Sequence, residues 1–501
     1  MKNPLFLFVF LAGSALLAPS RLFAAVETSP CGIYWNGRPE SPVALDLSAV
    51  PMNRSWPGFQ RPKSQTKRGR AVNVDLKDGR GRLELRFPKN RLDAAARALR
   101  IRPLSRAQKP TSRTDDALVF DFDRPERLVL EFPDVMEDLH VFVNEPFVAP
   151  TGANVRVFGP GRHDAGLIRP KSGETIVLEK GAHVRGAVLA CGVKDVRVCG
   201  RGVLDSSEMV RTVSDNFVLT NLFGAIRRGE AAWNTNGTQF AAWAATNMTV
   251  EGVMLVDSPF WAMTLYECRG LRIENVKIVG QWRYNSDGID ICGGEDIVIR
   301  DSFVRSFDDC VVARAHGRRG PVDMTVENCD LWCDWGKNLE VWAAEGPCAI
   351  ENVRFRNCRV LAFDYAPFDV TDWAGGDGVL IRDVTCENLE VDFVSPRWKA
   401  VNQTGTSERA DVPFPREIRT DARLAQVNYW ACDTWRTKAD EERAMKWRIE
   451  FENIALRGVK FFGDVPPEVT IVVDDNPGPL VIRGLDFDGL PPQVKIVRPG
   501  M

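Results

Sequence analysis

Met324-Thr325-Val326-Glu327-Asn328-Cys329 and Val353-Arg354-Phe355-Arg356-Asn357-Cys358 share one pattern: apolar and polar residues alternate, and an asparagine stands where the run ends. Alternation with a period of two marks a strand with one buried face. Asn247-Met248-Thr249-Val250-Glu251, Leu271-Arg272-Ile273-Glu274-Asn275, Asp296-Ile297-Val298-Ile299-Arg300 and Ile381-Arg382-Asp383-Val384-Thr385 repeat it. The runs recur roughly 22 to 31 residues apart, a spacing typical of solenoid repeats. Helical periodicity is nearly absent between them. Short strands with Asn or Gly corners predict a parallel β-solenoid over residues 149–501, its coils stacked about 4.8 Å apart. A propeller needs repeats of about 40 residues or more. A β-sandwich needs hairpin signals such as Asn-Gly, which are scarce here.

Residues 25–148 differ. Strand-like runs (Leu83–Phe87, Leu118–Phe122, Leu128–Phe132, Leu139–Val143) alternate with polar turns and predict a separate antiparallel sandwich. Pro146, Pro150 and Gly152 mark the join. Residues 206–246 and 395–446 read as insertions in the solenoid, the second ending in a helical stretch, Ala439 to Met445. Such insertions often wall a binding cleft.

A chain of 501 residues, 44% hydrophobic, is long enough for two domains. Its net charge of −2 supplies no field for nucleic acid or an anionic membrane. Residues 1–24 read as a secretory signal: Lys2 is followed by an apolar run from Leu5 to Leu17, and Leu22-Phe23-Ala24 offers a cleavage site. The expected location is therefore periplasmic or extracellular, with no stable membrane association; the oligomeric state is left open. Of twelve cysteines, Cys292, Cys310, Cys329, Cys358 and Cys386 fall in strand-like segments and are expected to be buried, stacked and apolar. No spacing suggests a metal site, no cofactor is expected, and four histidines leave little room for imidazole chemistry.

Chemistry concentrates in Asn285-Ser286-Asp287-Gly288-Ile289-Asp290 and Asp308-Asp309-Cys310. One solenoid step separates Asp287 from the Asp308–Asp309 pair, so the three carboxylates converge. Matching Ile289 and Ile291 to Cys310 and Val312, then to Leu339 and Val341, puts Asp287, Asp308 and Lys337 in one column. Asp309 and Asn338 fall in the next, and Asp290 and Glu340 share a third with Val311 between them. Carboxylates so placed hold protons unevenly, as acid/base cleavage of a glycosidic bond requires. A calcium site or a corner ladder of aspartates competes with that reading, since Asp and Asn tolerate bends.

These residues resemble the signature of glycoside hydrolase family 28, the polygalacturonases, and are similar to family 49, the dextranases and isopullulanases. The resemblance implies a right-handed parallel β-helix, preceded in family 49 by a β-sandwich. It further implies an inverting mechanism, with Asp308 as general acid and Asp287 and Asp309 as general bases that position water. Two features depart from it. Where polygalacturonases carry Gly-His-Gly, this chain has Trp335-Gly336-Lys337-Asn338-Leu339-Glu340, and Phe363–Phe368 lacks their Arg-x-Lys pair. Galacturonate becomes a weaker candidate, although Lys337 with Arg314 offers an alternative hold on an anionic sugar. Asn285, Asp290, Arg314, Lys337 and Glu340 are the expected substrate contacts. Among fourteen tryptophans, Trp282, Trp335 and Trp342 are expected at the cleft, where indoles stack on sugar rings; Trp261, Trp332 and Trp373 lie near the same surface. Besides hydrolysis of a polysaccharide or its oligosaccharides, two functions remain open: a β-helix polysaccharide lyase, and a glycan-binding solenoid without activity.

Overall fold

A computed structural model describes residues 31–49, 56–57, 63, 66–209, 238–315, 320–343, 346–372, 377–394, 406–407, 422–429, 446–473 and 480–498. The signal segment, Trp373 and the stretch 439–445 lie outside the described residues. Among the described residues, 28 strands from Val155 to Val497 form one coiled sheet, each strand paired in parallel with its counterpart one coil away. Parallel strands joined by such crossovers take the right hand. The architecture is a parallel β-helix, as the alternation predicts.

The repeated runs meet in the expected register. Val250, Ile273, Ile299, Val326, Phe355 and Cys386 are successive partners in one ladder. Their inward side chains join one apolar cluster along the helix interior, together with Ile289, Val311, Leu339 and Phe368. Asparagine has a specific task at the corners. Asn275, Asn328, Asn357 and Asn388 adopt φ of 51–56°, a left-handed conformation in which short polar side chains are the most tolerated after glycine. Three of these side chains bond from coil to coil, Asn328 Nδ2 to Asp301 Oδ1 at 2.6 Å and Asn388 Nδ2 to Asn357 Oδ1 at 3.1 Å, while Asn275 Nδ2 donates to Asn144 Oδ1 of the sandwich at 3.0 Å.

All five strand cysteines are buried thiols. Only Cys329 and Cys358 occupy equivalent places, each directly after a corner asparagine; Cys386 falls in the Phe355 row. Cys292 faces outward, against Trp261 and Tyr266.

Ahead of the helix, Gly32–Trp35, Arg38–Pro39, Gly81–Arg86, Ser112–Arg113 and Ala117–Phe122 form one five-stranded sheet. Val43–Ser48, Thr66–Asp75, Arg100–Arg102, Glu126–Glu131 and Asp138–Asn144 form the second. The sandwich is not wholly antiparallel, because Asp138–Asn144 runs parallel to Thr66–Asp75. It has a core of its own and also packs on the helix. Leu128, Leu130, Val141 and Val143 fill the sandwich core. The alternate residues Val129 and Phe142 pack with Leu45, Leu47 and Ala71 onto Met254, Val279, Phe303 and Trp332 of the helix. The second sheet is thus a middle layer, which is why Asp138–Asn144 is buried throughout.

Charged groups pin this contact. Asp330 is 2% exposed and lies between Arg127 of the sandwich, at 2.5 Å, and Arg359 of the next coil. Burial alone would raise its pKa, but the two guanidinium groups outweigh it and hold the carboxyl below its ordinary value. Arg102 reaches Asp392 at 2.7 Å and Arg201 reaches Asp75 at 2.6 Å.

The strand Phe240–Trp243 lies within the span read as the first insertion, and Arg423–Tyr429 within the second. Arg423–Tyr429 pairs with Phe368–Asp372 and continues the helix. Leu424 and Ala425 are both buried, which blurs the alternation that would reveal the strand.

Candidate active site

One face of the helix is built from the strands Met263–Glu274, Ile289–Arg300, Val311–Ala315, Leu339–Ala343, Phe368–Asp372 and Arg423–Tyr429. Ile289, Val311, Leu339, Phe368 and Ala425 point into the core as ladder partners. The residues after them point out, forming the row Thr264, Asp290, Val312, Glu340, Asp369, Gln426. Asp290 and Glu340 do share a column, but Val312 separates them, not Val311. The predicted match of Ile289 to Cys310 is off by one residue. Cys310 sits at the corner and also turns inward, so two consecutive side chains, Cys310 and Val311, enter the core. Gly288 N donates to Asp309 O at 2.8 Å and Cys310 N to Lys337 O at 2.9 Å, which aligns Gly288, Cys310 and Asn338. Asp287, Asp309 and Lys337 therefore precede one aligned row, with Asp308 one residue earlier.

The corners are fastened from behind. Ser306 Oγ donates to Asp308 O at 2.5 Å and Cys333 Sγ approaches the same oxygen at 3.1 Å. Ala262 N donates to Asp287 O at 2.9 Å. Asn285, at φ 51°, places its Nδ2 3.5 Å from Asp308 Oδ2. Glycine is required at 336: a Cβ there would meet Oδ1 of both Asp308 and Asp309 and lie 2.8 Å from Asp309 N. Lys337 N donates to Asp309 Oδ1 at 2.6 Å.

The electrostatics follow from burial. Asp287, Asp308 and Asp309 are 5%, 9% and 7% exposed. Burial, then the charges of Asp290, Asp308 and Asp309, pushes the Asp287 carboxyl well above its ordinary value. Asp309 is raised to about 7, first by burial and then by Glu340, with Lys337 opposing. Burial also raises Glu340 against the pull of Lys337. Lys337 Nζ stands 2.8 Å from Glu340 Oε1 and 3.6 Å from Asp309 Oδ2. Burial would lower its pKa, but Asp309, Glu340 and Asp369 together hold the ammonium firmly charged. The cluster can therefore retain protons near neutrality while leaving some carboxylates ionised.

The next outward row carries Tyr266, Cys292, Arg314, Trp342 and Thr371. The Arg314 guanidinium lies 4.8 Å from the ring centre of Trp261 and 3.8 Å from that of Trp342. Trp342 is half-buried. Trp282 and Trp335 are only 3% and 4% exposed. Trp335 stacks on Phe307 at 5.4 Å, and Trp282 lies beside Arg283; both support the wall by packing. Lys337 also faces Tyr365, 5.5 Å from its ring centre. The structure adds Asp369 and Gln426, which sequence reasoning did not name. Phe368-Asp369-Val370 carries the same in-out-in signal as Leu339-Glu340-Val341 and marks Asp369. Gln426 belongs to the strand hidden in the second insertion. Among the described residues no group of three or more His, Cys, Asp or Glu is arranged to hold a metal ion, and no helix is long and apolar enough to cross a membrane.

The family model "Glycosyl hydrolases family 28" matches residues 227–364, which contain Asp287, Asp290, Asp308, Asp309, Lys337 and Glu340. The chain is family 28-like. It is 26% identical over 219 residues to a dextranase of Arthrobacter globiformis, covering 42% of this chain and 32% of that protein. It is 25% identical over 195 residues to an exopolygalacturonase of Arabidopsis thaliana, covering 36% and 44%. The chain thus spans less than half the length of these two relatives. Among solved structures, Dex49A from Penicillium minioluteum aligns over 86% of this chain and 83% of its own, at 12% identity and a TM-score of 0.42. The relationship to both polygalacturonases and dextranases matches the double resemblance carried by the aspartate motifs.

Proposed function

We propose that the protein is a secreted, inverting glycoside hydrolase that cleaves a polysaccharide or an oligosaccharide derived from one. The supporting observation is the convergence of Asp287, Asp308 and Asp309 at adjoining corners of successive coils, in a setting that raises Asp287 and Asp309. In this scheme Asp308 gives its proton to the leaving oxygen as the glycosidic C–O bond breaks. A water held by Asp287 and Asp309 attacks the anomeric carbon from the opposite side, and its proton passes to Asp309, the ionised member of the pair. Like charges so close do not both ionise readily, so the pair works with one proton between them.

Hydrolysis is separable from elimination by its products. Incubation with the true substrate is expected to release reducing ends without ultraviolet-absorbing unsaturated sugars. Absorbing products would establish a lyase instead, and no release from any glycan would leave the binding solenoid.

Lys337 provides a pH test. Asp309 must lose its proton to serve as base, so kcat/KM is expected to rise with pH through about 7. Lys337 lowers the Asp309 pKa, so Lys337→Met removes a stabiliser of the ionised form and should move this acidic limb to higher pH. A limb that stays in place would remove Asp309 from the base role.

A further inference from the structure

Hydrolysis as proposed leaves two buried groups of this face unused. Asp290 is 0% exposed, and neither carboxylate oxygen has a hydrogen-bond partner. Arg314 is 5% exposed, with Nε and Nη1 likewise unpartnered. Arg314 pairs in the ladder with Cys292, two residues beyond Asp290 on the same outward side. The pair is thus a carboxyl and a fork of donors, with the Arg314 guanidinium against the indoles of Trp261 and Trp342.

The cations nearby are already engaged. Lys337 serves Glu340 and Asp309. Arg423 donates to Gln426 Oε1 at 2.8 Å and lies 5.9 Å from the Tyr365 ring centre. Against these stand the carboxyl groups of Asp287, Asp290, Asp308, Asp309, Glu340 and Asp369. We propose that Asp290 and Arg314 form a subsite for an uncharged, hydroxyl-bearing sugar residue, and that the face discriminates against uronic acid residues. This rests on the hydrolase reading and adds the substrate class to it. A sugar hydroxyl both donates and accepts, so neighbouring hydroxyls satisfy Asp290 and Arg314 together. A sugar carboxylate only accepts: it would engage Arg314 alone and bring a further negative charge among the buried carboxyl groups of this face.

The test measures kcat/KM of the wild-type protein on a panel of neutral glycans (α- and β-glucans, galactans, arabinans) and on polygalacturonate. A neutral glycan should be preferred by about 10- to 100-fold, the scale set by the desolvation cost of one buried polar group left without its partner. Preference for polygalacturonate would overturn the inference while leaving hydrolysis standing. If nothing in the panel is cleaved, the hydrolase reading falls. Calorimetric titration with neutral and galacturonate tetrasaccharides then decides recognition alone, and failure to bind a neutral one overturns the inference too. Asp290→Asn should raise KM on the preferred neutral glycan more than it lowers kcat, and should narrow the neutral-to-uronate ratio; an unchanged ratio would remove Asp290 from specificity.

Discussion

Asp308→Asn and Asp309→Asn are each expected to lower kcat by about 10²–10⁴, the range supplied by a positioned proton donor or acceptor. The amide keeps the shape and most of the contacts of the carboxyl. Lys337 N can still find an oxygen at position 309, and the backbone bonds to Asp308 O from Ser306 and Cys333 do not involve the changed group. The fold should therefore persist, and far-UV circular dichroism with the thermal midpoint will show whether it does. The two losses should not multiply, because residues acting as a unit are non-additive. Near wild-type turnover in either variant, on the true substrate, would contradict the assigned roles.

The largest stability effect is expected at a distance from this site. Asp330→Ala removes the carboxylate that both Arg127 and Arg359 face, leaving two guanidinium groups at a buried interface. Breaking such an arrangement from one side costs about 3–5 kcal/mol. Denaturant titration should register that loss, and Asp330→Asn should recover only part of it by keeping acceptor capacity. A loss below about 1 kcal/mol would mean that the apolar contact through Phe142, Phe303 and Trp332 holds the sandwich on the helix without help from the ions.

What the sequence discloses depends on how local each signal is. Alternation along Met324–Glu327 and Val353–Arg356, with an asparagine at each corner, specifies strands stacked coil on coil, and the structure pairs those segments directly. The Asp287, Asp308 and Asp309 corners were legible for the same reason, since a repeat step is a spatial rule written along the chain. Register at the corner was not. Cys310 and Val311 both turn inward, and counting from the first apolar residue shifts the columns by one. Burial on both faces of Asp138–Asn144 was equally hidden, because its outer partner, the wall containing Phe303 and Trp332, lies far away in sequence. The tryptophans show the limit of composition: Trp335 and Trp342 lie near the same surface, yet one packs on Phe307 and the other lies under Arg314. Asp369 was visible in its own alternation but carries no motif, so only the ladder with Glu340 singles it out.

The division of labour among the three aspartates is tested most directly by the anomeric configuration of the first-formed product, followed by proton NMR before mutarotation. Water held by Asp287 and Asp309 opposite the leaving group predicts inversion. Retention would require a covalent sugar–carboxylate intermediate and would contradict the scheme of one acid and two water-positioning bases.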